Sequence, residues 1–141
     1  SNGCINMKEA AFSLIDYSII KAMLNLEDIP TECTFELDFS PSGIYNQNDG
    51  QYTLFLIFKA EYGNNIKAVN IKLKAIYQFK ENLSFNEIPS YFYSNSIAII
   101  FPYIRAFVST ITLQANIPPI VLPTLNISAL EHVLKSHTIV K

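Results

Sequence analysis

Residues 97–122 read IAIIFPYIRAFVSTITLQANIPPIVL, and this stretch decides the fold. Ile97, Phe101, Ile104, Val108, Ile111 and Ala115 recur at steps of three and four, so they share one face of a helix. Ile100, Tyr103 and Phe107 widen that face, while Arg105, Ser109, Thr112 and Asn116 fall on a narrow polar stripe. A helix this apolar needs cover on two sides, for instance its own sheet on one and another subunit on the other. Phe101, Ile104, Val108 and Ile111, with Arg105, are therefore expected at a contact between copies of the chain. Pro102 removes the hydrogen bond to residue 98, so the helix either kinks there or starts with Pro102 in its first turn. Asn116 tolerates the left-handed backbone that ends many helices, and Pro118-Pro119 forbids continuation. Ile120-Val121-Leu122 then runs extended to Pro123.

Upstream, the pattern changes to alternation. Ile66–Phe79 places Val69, Ile71, Leu73, Ala75, Tyr77 and Phe79 on one face and Asn70, Lys72, Lys74 and Gln78 on the other. Gln51–Tyr62 carries Tyr52, Leu54, Leu56 and Phe58 on one face, with Phe55 and Ile57 making the other partly apolar, as in an inner strand. Gly63-Asn64-Asn65 between them accepts positive φ and reads as a hairpin turn. Glu32–Phe39 alternates with Cys33, Phe35, Leu37 and Phe39 on one side. Ala11–Met23 has strand character, with Ile15, Tyr17 and Ile19 on one side, although a short helix competes. Ser40–Gly50 is rich in turn residues and reads as a loop, as does Leu26–Thr31. Residues 1–11 read as a loose lead-in, and FNEIPSYFYSN ahead of the long helix as a short helix or turn. After it, Ser128–Glu131 has a capping-box pattern, or Asn126 caps the last helix two residues earlier. Strands come first and helices last. The expectation is a single α+β domain, a four-stranded antiparallel sheet with C-terminal helices packed on one face.

Composition narrows the function. Of the 141 residues 50% are hydrophobic and 16% charged, against about 25% charged in ordinary domains. Between Glu87 and Glu131 the sole charge is Arg105. So little charge favours an oligomer, an exposed apolar binding surface, or both. A net charge of −2 without a basic run argues against a nucleic-acid partner. Pro102, Pro118, Pro119 and Pro123 interrupt the uncharged region, which argues against membrane insertion. No secretory leader is visible, and Cys4 and Cys33 lack metal-ligand spacing, so both read as free thiols of a cytoplasmic protein. His132 and His137 do not stack on one helix face as a metal pair would. The chain shows no phosphate loop, dinucleotide fingerprint, HExxH pair or nucleophile elbow. No cofactor, metal or catalytic set is expected, and any work on a partner must come from binding alone.

Two aromatic groups are candidates for that binding. Tyr91, Phe92 and Tyr93, with Phe85 before them, are either core or the wall of a peptide groove, and Phe35, Leu37 and Phe39 pose the same choice. Aromatic rings offer large contact area at low entropy cost, which suits a surface accepting many sequences.

The stretch from Ile99 to Leu130 resembles the C-terminal region of SecB, the bacterial protein-export chaperone. The family pattern is an apolar pair, Phe-Pro-Tyr, an apolar residue and Arg, then a helix, a proline-marked stop, an apolar extended run and Asn before a last helix. Phe101-Pro102-Tyr103 with Arg105, then Pro118, Pro123 and Asn126, match in order and spacing. The resemblance implies an ATP-independent holder of unfolded polypeptide clients, assembled as a dimer of dimers with outer apolar grooves. In the family, acidic residues on the outer sheet face engage the motor SecA. Here the corresponding positions carry Lys72, Lys74 and Ile20-Lys21, so holding is better supported than docking to the motor. A SecB-like chaperone dedicated to one client, such as an antitoxin, is the first alternative. A non-chaperone α+β module for one apolar ligand or permanent partner is the second.

Overall fold

A computed structural model describes residues 11–27, 29–30 and 32–141. The lead-in up to residue 10 lies outside the described residues. The elements run β1 (Phe12–Leu24), β2 (Glu36–Asn46), β3 (Gln51–Tyr62), β4 (Ile66–Phe79), a 3-10 turn (Phe85–Glu87), α1 (Ser90–Gln114), α2 (Ile127–Ser136) and β5 (Thr138–Val140). They form one sheet in the order β1-β4-β3-β2-β5. The α+β expectation holds. The strand count rises to five because β5, from the tail after the last helix, adds to β2 in parallel through Gly43–Tyr45.

The hairpins follow from local chemistry. Gly63 and Asn65 both take positive φ between β3 and β4, and Gly50 does so between β2 and β3. The alternation of β3 and β4 is as read. Tyr52, Leu54, Leu56 and Phe58 on β3 and Ile71, Leu73, Ala75 and Tyr77 on β4 have no exposed surface.

β2 is longer than the sequence suggested. Ser40-Pro41-Ser42-Gly43 continues the strand, paired in register with Ile57, Leu56, Phe55 and Leu54. Pro41 is tolerated because β2 lies near the sheet margin, where β5 covers only Gly43–Tyr45. Gly43 is there for space. A Cβ at that position would run into the ring and hydroxyl of Tyr52. That hydroxyl passes across β2 to meet Thr138 Oγ1 at 2.6 Å. Thr138 in turn donates to the Leu134 carbonyl at 2.7 Å. One small residue thus lets an inner-strand tyrosine fasten the C-terminal strand.

β1 is a strand, but its side chains do not alternate simply. The register against β4 slips between Leu14 and Asp16 and again between Ile19 and Lys21. Each slip is a bulge that adds one unpaired residue. Tyr17 and Ile19 therefore lie opposite Ala75 and Leu73 on the helix side. Ile15, expected beside them, sits at a bulge and is exposed, as is Ile20.

α1 begins at Ser90, earlier than the apolar periodicity suggested, and Pro102 is inside it. The segment SYFYSN is its first turns, and only Phe85–Glu87 forms the separate short turn. The proline is accommodated because it and Ala98, whose carbonyl loses its partner, both lie on the exposed side. The opposite side of α1 packs on the sheet. Phe92 is the centre of an aromatic cluster, with its ring 4.8 Å from both Tyr52 and Phe79 and 4.9 Å from Phe12. Tyr77 donates its hydroxyl hydrogen to the Ser96 carbonyl at 2.7 Å, tying β4 to α1. Burial raises the pKa of Tyr52 and Tyr77 and pushes Tyr93 up to about 12, so all three stay neutral at ordinary pH. Asn126 caps α2 by accepting from the Ala129 N–H at 3.3 Å, the second of the two expected starts.

Gly43→Ala should destabilise the protein by about 1–3 kcal/mol, the usual cost of overpacking. Denaturant melting measures it, and a change below about 0.5 kcal/mol would mean that the Tyr52 crossing imposes no constraint.

Candidate functional site

The site begins at the end of α1. Asn116 has φ of 62°. Its N–H donates to the Leu113 carbonyl at 3.0 Å, and the Ile117 N–H donates to the Thr112 carbonyl at 3.3 Å. This pair of bonds is the Schellman arrangement, with Asn in the place glycine usually takes. Thr112, expected on the polar stripe, is completely buried. Its hydroxyl donates to the Val108 carbonyl at 2.9 Å and accepts from the Ile120 N–H at 3.1 Å. The second bond holds the extended segment Ile117–Ile120 beside the helix end.

A groove of about 650 Å³ opens along that segment. Ile117, Pro118 and Ile120 line it together with Ile29, Phe35 and Leu37. Cys33 and Thr34 also line it, and among the described residues none that lines it is charged. Leu37 is the second residue of β2, while Phe35 and Cys33 precede that strand rather than lying in it. The volume falls within the range of ligand-binding clefts, roughly 300–1,000 Å³. Such a surface can bury apolar side chains of a partner, and its described residues supply no charged group for acid–base work.

The structure divides the candidate residues. Phe35 and Leu37 come together in the groove. Phe39 does not join them, because its ring packs on Phe58 at 5.1 Å and on Phe101 at 5.7 Å. Phe92 and Tyr93 are 0% and 1% exposed, so in this chain they are core rather than groove wall. Tyr91, next to them, is 39% exposed and lies at the start of α1. Helical rotation explains the difference, since neighbouring residues point about 100° apart.

The expected subunit-contact residues need a similar correction. Phe101, Ile104 and Val108 are buried against the chain's own sheet and have little left to offer a second copy. Ile111 is partly buried beside them. Arg105 is exposed, and its guanidinium lies 5.0 Å from the Phe101 ring centroid. The large apolar residues left exposed on α1 are Tyr91, Ile99, Tyr103 and Leu113. Tyr103 stacks on Tyr17 of β1 at 4.2 Å, which joins the outer side of α1 to β1. The helix has two unlike sides, and Phe101, Ile104 and Val108, expected at a contact between copies, lie on the side facing the chain's own sheet. By length and composition α1 could cross a membrane, yet its inner side is packed on the sheet.

Among the described residues no group of three or more His, Cys, Asp or Glu could hold a metal ion. Sequence reasoning missed Thr112 as the residue that positions the groove. A bond to a main-chain N–H eight residues away leaves no periodic trace.

The fold is SecB-like. The chain superposes on the SecB-like chaperone Rv1957 of Mycobacterium tuberculosis with a TM-score of 0.67 and 16% identity, covering 82% of this chain and 88% of that one. That chaperone was solved in complex with a ChAD peptide from the HigA1 antitoxin Rv1956. A protein of unknown function from Streptococcus agalactiae superposes with a TM-score of 0.45 and 13% identity, over 82% of this chain and 100% of that one. In sequence, 36 residues are 58% identical to an uncharacterized protein of Methanocaldococcus jannaschii, which is 26% of this chain and 23% of that protein. No family model matches the chain.

Thr112→Val would leave the buried Ile120 N–H without its acceptor, at an expected cost of about 1–3 kcal/mol. Thr112→Ser should retain most of the stability. Equal melting of the Val variant and wild type would show that the bond does not hold the groove wall.

Proposed function

We propose that this chain is an ATP-independent holding chaperone that takes apolar segments of non-native polypeptides into the groove beside Ile117–Ile120. The observation that carries this is the apolar lining of that groove by Phe35, Leu37, Ile117 and Ile120, with no charge among the described lining residues. Apolar contact without directional polar groups favours many sequences over one. Binding the unfolded form alone shifts a client's equilibrium by roughly 2.7 kcal/mol at a hundredfold excess over Kd. The reading is non-enzymatic and cytoplasmic, and it needs no cofactor.

A groove of this size takes only a few side chains, so useful affinity requires several grooves acting on one client chain. The uncovered Ile99, Tyr103 and Leu113 on α1 provide apolar surface for bringing copies together. A homotetramer, a dimer of dimers, is the assembly we assign. Delivery to SecA is the weaker part of an export role, because Lys72 and Lys74 occupy the outward face. A second reading, a chaperone reserved for one client, draws support from the antitoxin peptide in the complex of the Mycobacterium tuberculosis chaperone.

A stoichiometric amount of the protein should slow aggregation of several unrelated unfolded proteins. Phe35→Ser combined with Ile117→Ser should weaken client binding by about tenfold or more, given the apolar area lost. Protection of one client alone selects the dedicated reading, and no protection of any client removes both.

The solution mass should correspond to about four chains. Tyr103→Glu with Leu113→Glu should lower it, and a stable wild-type monomer would refute the assembly.

A further inference from the structure

The outer face of the sheet, opposite the helices, carries an arrangement that neither folding nor the groove explains. In one row across the strands stand Lys21, Lys72, Ile57 and Ser40, and in the next Ser18, Lys74, Phe55 and Ser42. Lys21 and Lys72 are direct cross-strand partners. Like charges in that relation destabilise a sheet. Lys74, two residues from Lys72 on the same strand, adds a third ammonium on the same face. The Lys72 ammonium sits 4.8 Å from the centroid of the Phe55 ring.

The described acids on this face form no close ion pair with the cluster. Asp38 lies opposite Lys59 in the row beyond Ile57 and Lys72, Asp16 lies opposite Ile76 in the row beyond Ser18 and Lys74, and Glu36 pairs with Glu61 one row past Asp38. Among the described residues, the sole contact between oppositely charged groups within ion-pair distance is His132 with Glu131. Three lysines thus flank two half-buried apolar side chains, Phe55 and Ile57, and the half-buried Ile76 and Ile44 follow in the next row of the same face.

We infer that this face docks an acidic polypeptide segment carrying apolar side chains. Its carboxylates would meet Lys21, Lys72 and Lys74, and its apolar groups would cover Phe55 and Ile57. Charge complementarity carries the assignment, because a carboxylate between Lys21 and Lys72 turns a repulsion into two attractions. A polypeptide is favoured over nucleic acid. The cluster has no Arg, it is interleaved with apolar groups, and the chain as a whole carries a net charge of −2. The surface is separate from the groove, so the inference does not depend on the chaperone reading.

The test is fluorescence anisotropy on the full chain with three labelled probes. The first is a peptide of about ten residues, the length of a strand, alternating Glu and Leu. The second has Lys in place of every Glu, and the third is a single-stranded DNA oligonucleotide. The Glu peptide should bind about tenfold more tightly than the Lys peptide. Its binding should weaken as salt rises. Lys72→Glu with Lys74→Glu should reverse that preference, and Lys72→Arg with Lys74→Arg should keep it. Phe35→Ser in the groove should leave it unchanged. Lys72→Glu also replaces a like-charge pair by an opposite one, so the reversed variant should melt no lower than wild type, which separates lost docking from lost folding. Equal affinity for the two peptides, an unaltered preference in the reversed variant, or tighter binding of the DNA would overturn the inference.

Discussion

The contact between the inner side of α1 and the inner face of the sheet is the constraint on which everything else rests. Phe92, Ile97, Ile100, Phe101, Ile104 and Val108 of α1 belong to one buried cluster with β3 and β4. Each large apolar side chain removed from water contributes roughly 1.5–3 kcal/mol. That contact dictates which residues cannot be functional. Once the helix is pressed onto the sheet, its inner side is spent on stability. Only its outer side and its C-terminal exit remain for partners. The bond from the Ile120 N–H to Thr112 transmits the constraint to that exit. The groove wall is therefore as well placed as the helix that carries it.

The apolar residues fall into three populations with different fates. The first is the core. The second lines the groove, where Phe35 and Leu37 face the chain that leaves α1. The third is scattered on the outside, with Ile15 and Ile20 at the bulges of β1 and Ile99, Tyr103 and Leu113 on α1. A low charge content does not distinguish these populations; only burial does. This explains how one composition supported both an assembly and a binding surface without locating either.

Much of the fold was legible because period-two alternation in β3 and β4 needs no tertiary information. The stop at Asn116 was legible too, since Asn before two prolines has few other uses. β2 was cut short because Pro41 and Gly43 carry turn chemistry in general. What keeps them in a strand is a tyrosine ring from the neighbouring strand, and no local rule anticipates that. In β1, two inserted residues changed which side chains share a face. Phe92 and Tyr93 were ambiguous for a deeper reason. Periodicity says which residues lie together, but not what lies opposite them. The same gap left Phe101, Ile104 and Val108 read as contact positions, although they pack on the chain's own sheet. Phe35 and Leu37, singled out by their alternation, do line the groove, whereas Thr112 was hidden by its distance along the chain from the group it holds.

The parallel pairing of β5 with β2 has a kinetic consequence. Gly43 and Thr138 are sheet neighbours although most of the chain separates them. Loop closure over such a span is costly and slow. During synthesis the β2–β3–β4 meander can assemble early, but its last margin cannot zip shut until Val140 has cleared the ribosome. A nascent chain of this protein would meanwhile expose an open strand of the kind that recruits other strands.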